Sequence, residues 1–316
     1  MTEIQAVVMG RVNADLYPAP SELRKPLSQI DHFDRYVGGF AGNVATGLAR
    51  LGVRVGIASR VGDDGHGRFV GAWLAEQGVD VRWLVTDPEY GTAITFCEVW
   101  PPDRFPITFY RHPTCPDWRL SPSDLDLDEI AEIPVLLASG TGLARSPSLE
   151  TTMEALRRHR GTTILDLDHR PSLWIDPEDY PVRIRPAARE ASIVIGNSDE
   201  LTAATGVGDE RAAAQALLAL GPSLVAVKRG HRGSAVHDAA GVREVEGYEV
   251  EVVNGLGAGD AFAAAFASGL LAGVPAAEAA RLGNAAGAMV AAAIPCSAAM
   301  PTMDELREFA GSRVTA

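Results

Sequence analysis

Cysteine is scarce in this sequence. The three residues, Cys97, Cys115 and Cys296, are odd in number, scattered, and without the spacing of metal ligands. They predict neither a disulfide framework nor a zinc site, and they favour a reducing compartment.

Positive charge is also in short supply. Lys and Arg total 28 against 41 Asp and Glu, which gives a formal net charge of −13. Such a surface repels nucleic acid and anionic lipid on average, so neither is predicted as a partner. An anionic ligand would have to be held by local donors.

Targeting segments and linkers are missing as well. The amino end, MTEIQAVVMGRVNADLY, has no basic stretch followed by an apolar one and predicts no signal peptide. The uncharged run 282–303 contains Asn284, Pro295 and Pro301, and predicts a buried helix and loop of a cytoplasmic protein. Without a linker or internal repeat, a single domain over 1–316 is expected.

Short β-rich runs alternate with longer Ala- and Leu-rich segments. This pattern predicts an α/β protein with a parallel sheet covered by helices on both faces. The candidate strands are AVVMG from Ala6, RVGIASRV from Arg54, PVLLASG from Pro134, TTILDLD from Thr162, ASIVIGN from Ala191 and SLVAVKRG from Ser223. Ligands are expected beyond their carboxyl ends.

Two segments, about 15–36 and about 90–118, depart from this alternation of β-rich and Ala- and Leu-rich runs. Both are richer in aromatic residues and proline, and GTAITFCEVWPPDRFPITFYRH in the second predicts strand, turn, strand. We expect them to form a small antiparallel flap, or lid, over the ligand crevice.

The run NGLGAGDAFAAAFASGLLAG, 254–273, places a single acid, Asp260, behind a glycine-rich loop at the start of an apolar helix. Exposed amides at a helix N-terminus form an anion hole, and a carboxylate there can accept a proton from a substrate hydroxyl. The alternative is an ordinary N-cap after a tight turn. A Walker phosphate loop is not predicted, since no Lys followed by Ser or Thr is present.

The run GGFAGNVATGLARLG, 38–52, begins another helix. Its two glycines allow close backbone approach, and the amide of Asn43 can pair with hydroxyls, although a simple helix start would also explain Asn43.

Together the GG…N and GAGDAF segments resemble the two signature segments of ribokinase-like, PfkB-type carbohydrate kinases, in the same order and with fitting spacing. The resemblance covers essentially the whole chain. It implies a three-layer α/β/α sandwich with a mostly parallel central sheet and a β-sheet lid. It also implies ATP, Mg²⁺ and transfer of the γ-phosphoryl group to a sugar hydroxyl.

The resemblance also implies roles for individual residues. Asp260 would be the general base, with the amides of Gly257, Ala258 and Gly259 as the anion hole. The predicted sugar partners are Asn13, Asp15, Gly39 and Asn43, and the predicted nucleotide partners are Asn197, Glu200, Lys228, Gly230, Gly233 and Asn284. Glu200 would act indirectly on Mg²⁺. Departures at Asn254 and IPCSAAMPT leave a monovalent-cation requirement open.

The segment ILDLDHRPSLW, 164–174, places Asp166 and Asp168 on one face of a strand with Arg170 beyond its end. A metal site or a substrate wall would explain the pair of acids. Arg111, in FYRH of the flap, suits a carboxylate because its planar fork makes two parallel hydrogen bonds, although a solvated arginine is the alternative.

GRVNADLY, FPITFYR, DLDHRPSLW and VVNGLGAGDAF add a narrower resemblance, to family members that phosphorylate the 6-hydroxyl of a six-carbon keto acid in myo-inositol breakdown. A carboxylate on the substrate would be bound by Arg111 and Arg170, and Asp168 would be a further substrate-binding residue. The alternatives are a kinase of 2-keto-3-deoxygluconate, ribose, a fructose derivative or a nucleoside, and a sugar sensor without turnover. The family also suggests a homodimer through the lid.

Overall fold

The chain folds around two β-sheets of unequal size. A computed structural model describes residues 3–311. Residues 1–2 and 312–316 of the predicted domain lie outside this part of the chain. The strands are β1 (Ala6–Met9), β2 (Asn13–Pro18), β3 (Phe33–Gly38), β4 (Val55–Gly62), β5 (Leu84–Asp87), β6 (Ile94–Cys97), β7 (Ile107–Tyr110), β8 (Val135–Ser139), β9 (Thr162–Asp166), β10 (Ile193–Asn197), β11 (Leu224–Lys228), β12 (Ser234–Asp238) and β13 (Gly241–Val245).

Helices occupy most of the connections. They are α1 (Phe40–Arg50), α2 (Gly65–Glu76), α3 (Leu127–Ala131), α4 (Ser148–Arg158), α5 (Asp179–Glu190), α6 (Ser198–Thr205), α7 (Glu210–Leu218), α8 (Ala258–Leu271), α9 (Ala276–Ala291) and α10 (Met303–Gly311). The run 282–303 spans the end of α9 and the loop after it, which confirms the predicted helix and loop. Within residues 3–311, no helix has the length and apolar character needed to cross a membrane.

The large sheet has the order β13-β12-β11-β10-β9-β8-β1-β4-β5. Its strands run parallel from β11 to β5, and the six strands predicted from the sequence, β1, β4, β8, β9, β10 and β11, are all among them. The hairpin of β12 and β13 was not predicted. β13 is largely exposed and offers no apolar run to detect.

Both faces of the large sheet are covered, because side chains alternate along its strands. In β1, Val7 and Met9 join one buried cluster, whereas Ala6 and Val8 join a second one. Helix α5 packs on the first cluster through Tyr180, and α8 packs on the second through its phenylalanines. The predicted three-layer arrangement is therefore confirmed.

The small sheet has the order β3-β2-β6-β7 and is built from the two segments expected to form a flap. The predicted strand, turn, strand pattern is confirmed by the antiparallel pair β6 and β7. The expectation of a wholly antiparallel sheet is wrong, since β2 and β6 pair in parallel. These two strands come from different segments, so no tight turn forces them to run in opposite directions.

Candidate active site

A cavity of about 820 Å³ lies at the carboxyl ends of β9, β10 and β11. Its walls include Asp166, Asn197 and Lys228, which are the last residues of those strands, together with the start of α8. Phe105 and Ile107, from the second flap segment, also line it. The large sheet therefore presents a cavity where a parallel sheet is expected to bind its ligand.

Asp260 reaches this cavity from the first turn of α8. Gly257 is the N-cap residue, with a φ of 80°, and Asp260 is the third residue of the helix. The alternative that Asp260 is an ordinary N-cap is therefore wrong. Its carboxylate instead accepts a hydrogen bond of 2.7 Å from Asn43 Nδ2, in the first turn of α1.

The surroundings of Asp260 make it a stronger base. Burial raises the pKa of its carboxyl group above the ordinary value, and the negative charge of Asp168 raises it further, while the hydrogen bond from Asn43 opposes both. A carboxylate with a raised pKa holds an abstracted proton more firmly.

Backbone amides surround the carboxylate at the start of α8. The first bond of the helix runs from Ala261 N to Gly257 O, so the amides ahead of Ala261 have no acceptor within the helix. A side-chain carbon on Gly259 would lie 3.2 Å from Lys228 Nζ, which places the ammonium group against the same turn. Amides and ammonium together make a local site for an anion in an acidic protein.

Asp166 holds Lys228 in this position. The ammonium donates to Asp166 Oδ2 at 2.9 Å. Burial raises the pKa of Asp166 to about 7, against the opposing effect of Lys228. Burial would lower the pKa of Lys228, but Asp166 and Glu200 raise it above its ordinary value, so the lysine remains charged.

Asp168 and Arg170 form a second ion pair at the cavity wall. Arg170 Nη2 lies 3.2 Å from Asp168 Oδ1, and Thr141 Oγ1 donates to Asp168 Oδ2 at 2.8 Å. Burial would raise the pKa of Asp168, but Arg170 and Arg11 lower it below its ordinary value. Asp166 and Asp168 thus have different cations as partners, which favours the substrate-wall reading over a shared metal.

Asn197 and Glu200 form a reciprocal capping box at the start of α6. Asn197 Oδ1 accepts from Glu200 N at 2.9 Å, and Glu200 Oε2 accepts from Asn197 N at 2.8 Å. Glu200 Oε1 accepts from His169 N at 3.3 Å. These hydrogen bonds fix the orientation of the Glu200 carboxylate at the cavity wall, where it fits a metal ion bound through water.

The far end of the cavity is lined by small residues. Gly283, Gly287 and Ala288 come from α9, and Gly230 and Gly233 come from the turn after β11. Asn284 also lines the cavity and donates to the carbonyls of Val245 and Glu246. These small residues leave room for a flat ring in a part of the cavity whose walls also include Tyr248 and Phe262.

The pair of glycines at 38 and 39 makes room for polar groups of β2. A side-chain carbon on Gly38 would lie 1.9 Å from Asp15 Oδ2, and one on Gly39 would lie 2.5 Å from Arg11 O. Asn13 Nδ2 donates to Asp15 Oδ1 and, at 2.9 Å, to Thr95 Oγ1. The structure thus joins Asn13, Asp15 and Thr95 in one buried hydrogen-bond network and packs Gly39 closely beside it.

Asp15 should make stability depend on pH. Burial raises its pKa from 3.8 to about 7 in the folded state, so the stability that this group contributes is present at low pH and is lost as the pH rises towards 7. We expect the thermal midpoint of the wild type to fall by a few degrees more than that of Asp15→Asn between about pH 5 and about pH 8. Thermal unfolding at both pH values measures this, and equal changes in the two proteins would contradict it.

Arg111, in the small-sheet region, is buried in the structure. Arg111 is 2% exposed and is not among the cavity walls. It forms an ion pair with Asp117, and its guanidinium lies 4.5 Å from the centre of the Trp118 ring. The alternative that Arg111 is solvated is therefore wrong, and its role in binding a carboxylate stays a prediction.

Arg11 was missed by the sequence analysis. It lies 3.3 Å from Asn13 Oδ1 and 3.7 Å from Asp168 Oδ2, each measured from one of its Nη atoms. The signal in the sequence is that Arg11 alternates with Asn13 and Asp15 just after β1.

Asn254 has a structural role next to the glycine-rich loop. Its Nδ2 donates to Ile294 O, and its Oδ1 accepts from Leu256 N at 3.1 Å. An aspartate could not donate the first of these bonds, so the amide joins this loop to the IPCSAAMPT segment.

Comparison with known proteins finds related carbohydrate kinases that match almost the whole chain. Residues 3–303 match the pfkB family carbohydrate kinases. The 5-dehydro-2-deoxygluconokinase of Shouchella clausii is 37% identical over 313 residues, which cover 96% of this chain and 95% of that protein. The enzyme of that name from Bacillus subtilis is 33% identical, with 96% and 94% covered.

Solved structures agree in fold. A PfkB protein from Polaromonas superposes with a TM-score of 0.83 at 29% identity, covering 96% of this chain and 99% of that one. A putative Ribokinase II from E. coli in complex with ATP and Mg²⁺ superposes with a TM-score of 0.89 at 23% identity, covering 98% and 100%. The ribokinase-like fold is therefore confirmed, and the chain belongs to the pfkB family of carbohydrate kinases.

Proposed function

We propose that this kinase transfers the γ-phosphoryl group of ATP to the 6-hydroxyl of 5-dehydro-2-deoxy-D-gluconate, a step of myo-inositol breakdown. The observation that carries the reaction type is the half-buried carboxylate of Asp260 beside the free amides of α8 and the ammonium of Lys228. The substrate follows from the relatives, since kinases of that name match nearly the full chain.

In this reaction the substrate hydroxyl gives its proton to Asp260 while its oxygen bonds to the γ-phosphorus. The bond from the γ-phosphorus to the bridging oxygen of ATP breaks, and ADP leaves with the electron pair. The amides of Gly257, Ala258 and Gly259, with Lys228, stabilise charge on the transferred group. Positioning and electrostatics therefore supply most of the rate gain.

Mg²⁺ supplies positive charge to the phosphate oxygens when it is bound. The residues present fit this role indirectly. Glu200 lines the cavity and is oriented by backbone hydrogen bonds to both of its oxygens, and its role would be to orient water on the ion. Asn197, Gly230, Gly233 and Asn284 would contact the nucleotide.

The sugar would lie between the large sheet and the small sheet, with Asn13, Asp15, Gly39 and Asn43 as partners of its hydroxyls. The small sheet would act as a lid that excludes water and so limits ATP hydrolysis. Asp168 and Arg170 lie at the cavity wall, where Arg170 would meet the substrate carboxylate. A cytoplasmic enzyme is proposed, in keeping with its metabolic relatives.

A homodimer through the small sheet is part of the proposal. The support is that Tyr110, on the edge strand β7, is 60% exposed and stacks edge-on against Phe96 of β6. Pairing of two small sheets would cover this face and protect the strand edges. Measurement of the molar mass in solution tests it, and a monomer would contradict it.

A panel of substrates tests the proposed function. In a coupled ADP-release assay with Mg·ATP, we expect 5-dehydro-2-deoxygluconate to give a higher kcat/KM than 2-keto-3-deoxygluconate, ribose, fructose or fructose phosphates. Preference for a neutral sugar would keep Asp260 as base and overturn the substrate. A protein that binds sugar without releasing ADP would instead be a sensor.

A further inference from the structure

We propose that Arg11 recognises the carboxylate of the sugar acid directly. This inference rests on the proposed function and deepens it, since it identifies a residue that, together with Arg170, would distinguish an acid from a neutral sugar. Arg111, to which the sequence assigned this role, would instead act as a positioning residue.

The first argument is the unused edge of the Arg11 guanidinium. Arg11 is only 8% exposed, and its Nε has no hydrogen-bond partner within residues 3–311. Nη2, on the same edge as Nε, has only a loose contact of 3.7 Å with Asp168 Oδ2. The edge formed by Nε and Nη2 is one of the two guanidinium edges that bind a carboxylate with two parallel hydrogen bonds. A buried donor without a partner is costly, and a bound carboxylate would satisfy it.

The second argument is that Asp168 has better partners than Arg11. Thr141 Oγ1 and Arg170 Nη2 contact Asp168 at 2.8 and 3.2 Å, both shorter than the contact with Arg11. Asp168 therefore does not fully neutralise Arg11. Arg170 has a second carboxylate, Glu200, at 3.9 Å, so Asp168 is paired mainly with Arg170 and holds Arg11 only loosely.

The third argument is location. Arg11 directly precedes the β2 residues Asn13 and Asp15, and its Nη1 contacts Asn13 Oδ1 at 3.3 Å. On its other side, Phe109 of β7 lies 5.5 Å from the guanidinium carbon. Arg11 thus lies between the two sheets, beside the residues proposed to bind sugar hydroxyls.

Arg111 also has unpartnered donors, since its Nε and Nη1 lack a hydrogen-bond partner within residues 3–311, and neither arginine is among the cavity walls. It differs from Arg11 in its charge partner. Asp117 already pairs with it, and Trp118 covers its face. Asp117 also accepts a hydrogen bond of 3.1 Å from Val12 N, the amide that follows Arg11. Arg111 therefore holds Asp117, and Asp117 holds the backbone that carries Arg11.

The test compares two substrates that differ only at the acid group. One is 5-dehydro-2-deoxygluconate, and the other is the same sugar with a hydroxymethyl group in place of the carboxylate. The measured quantity is the ratio of kcat/KM for the acid to kcat/KM for the neutral analogue. In Arg11→Gln we expect this ratio to fall by about 10- to 100-fold, mainly through KM for the acid.

Two further variants separate recognition from folding. Arg60→Gln removes a largely buried arginine that pairs with Asp87 and Asp124 and does not line the cavity, so the ratio should stay at the wild-type value. Arg11→Lys keeps the charge but loses the planar fork, and should recover only part of the preference. Thermal unfolding of each variant checks that it is folded.

The outcomes are distinct. If the wild type prefers the acid and Arg11→Gln keeps that preference, the assignment of Arg11 is wrong while the proposed function stands. If the wild type itself prefers the neutral analogue, the proposed sugar-acid substrate is wrong, and the role of Arg11 fails with it.

Discussion

Replacing Asp260 with asparagine is expected to lower kcat by about 10³-fold or more. Asparagine has nearly the same shape and can still contact Asn43, but it cannot accept the hydroxyl proton. The amides of α8 and Lys228 remain in place, so affinity for ATP should change little. Steady-state ADP release with Mg·ATP and titration of ATP binding measure the two effects separately.

A matched control is available on another helix. Asp209 is the N-cap of α7 and accepts a hydrogen bond from Ala212 N. Asparagine is an equally good N-cap, so Asp209→Asn should keep normal turnover. If Asp260→Asn also turned over at a near-normal rate, Asp260 would not be the base.

Replacing Gly257 with alanine should lower kcat/KM by about 100-fold, a loss comparable with that of an oxyanion-hole donor. Gly257 has a φ of 80°, which a residue with a side chain adopts only with strain. Its new methyl carbon would also lie 2.7 Å from Cys296 Cβ and 2.8 Å from Cys296 Sγ. The loop would have to move, and its amides would move with it.

Gly273→Ala controls for the strain alone. Gly273 has a φ of 76°, but a methyl carbon there would meet no atom within 4 Å. We expect this variant to lose about 1 kcal/mol of stability and to keep its activity. An equal fall of kcat/KM in Gly257→Ala and Gly273→Ala would contradict the prediction, because it would show that neither the contact with Cys296 nor the position of the loop amides determines activity.

Much of the fold could be predicted because it depends on local patterns. The six predicted strands are short, apolar runs that end in polar or glycine residues, and a parallel sheet brings those ends together. The acid of GAGD could be placed by the same reasoning. The bond between Asn43 and Asp260 could not, since it joins residues 217 positions apart and no pattern in either segment predicts the contact.

Other parts of the site depend on tertiary pairing. The sequence showed Arg111 but not that Asp117 would pair with it, and it gave Arg11 no reason to differ from other arginines. The GG pair was predicted to allow close approach, but the structure was needed to identify Asp15 as the group that approaches Gly38. Which charged side chains pair in the folded protein depends on distances in space, and these cannot be read from amino-acid composition or sequence spacing.

The donors at the start of α8 belong to the main chain, and this limits what mutagenesis can reveal. An alanine scan removes side chains, so it would detect Asp260 and Lys228 but would leave every amide of the turn in place. Variants of the loop report its shape instead of the strength of any one hydrogen bond. Measuring that strength requires an amide-to-ester exchange in the backbone, which deletes a single N–H and keeps the side chain.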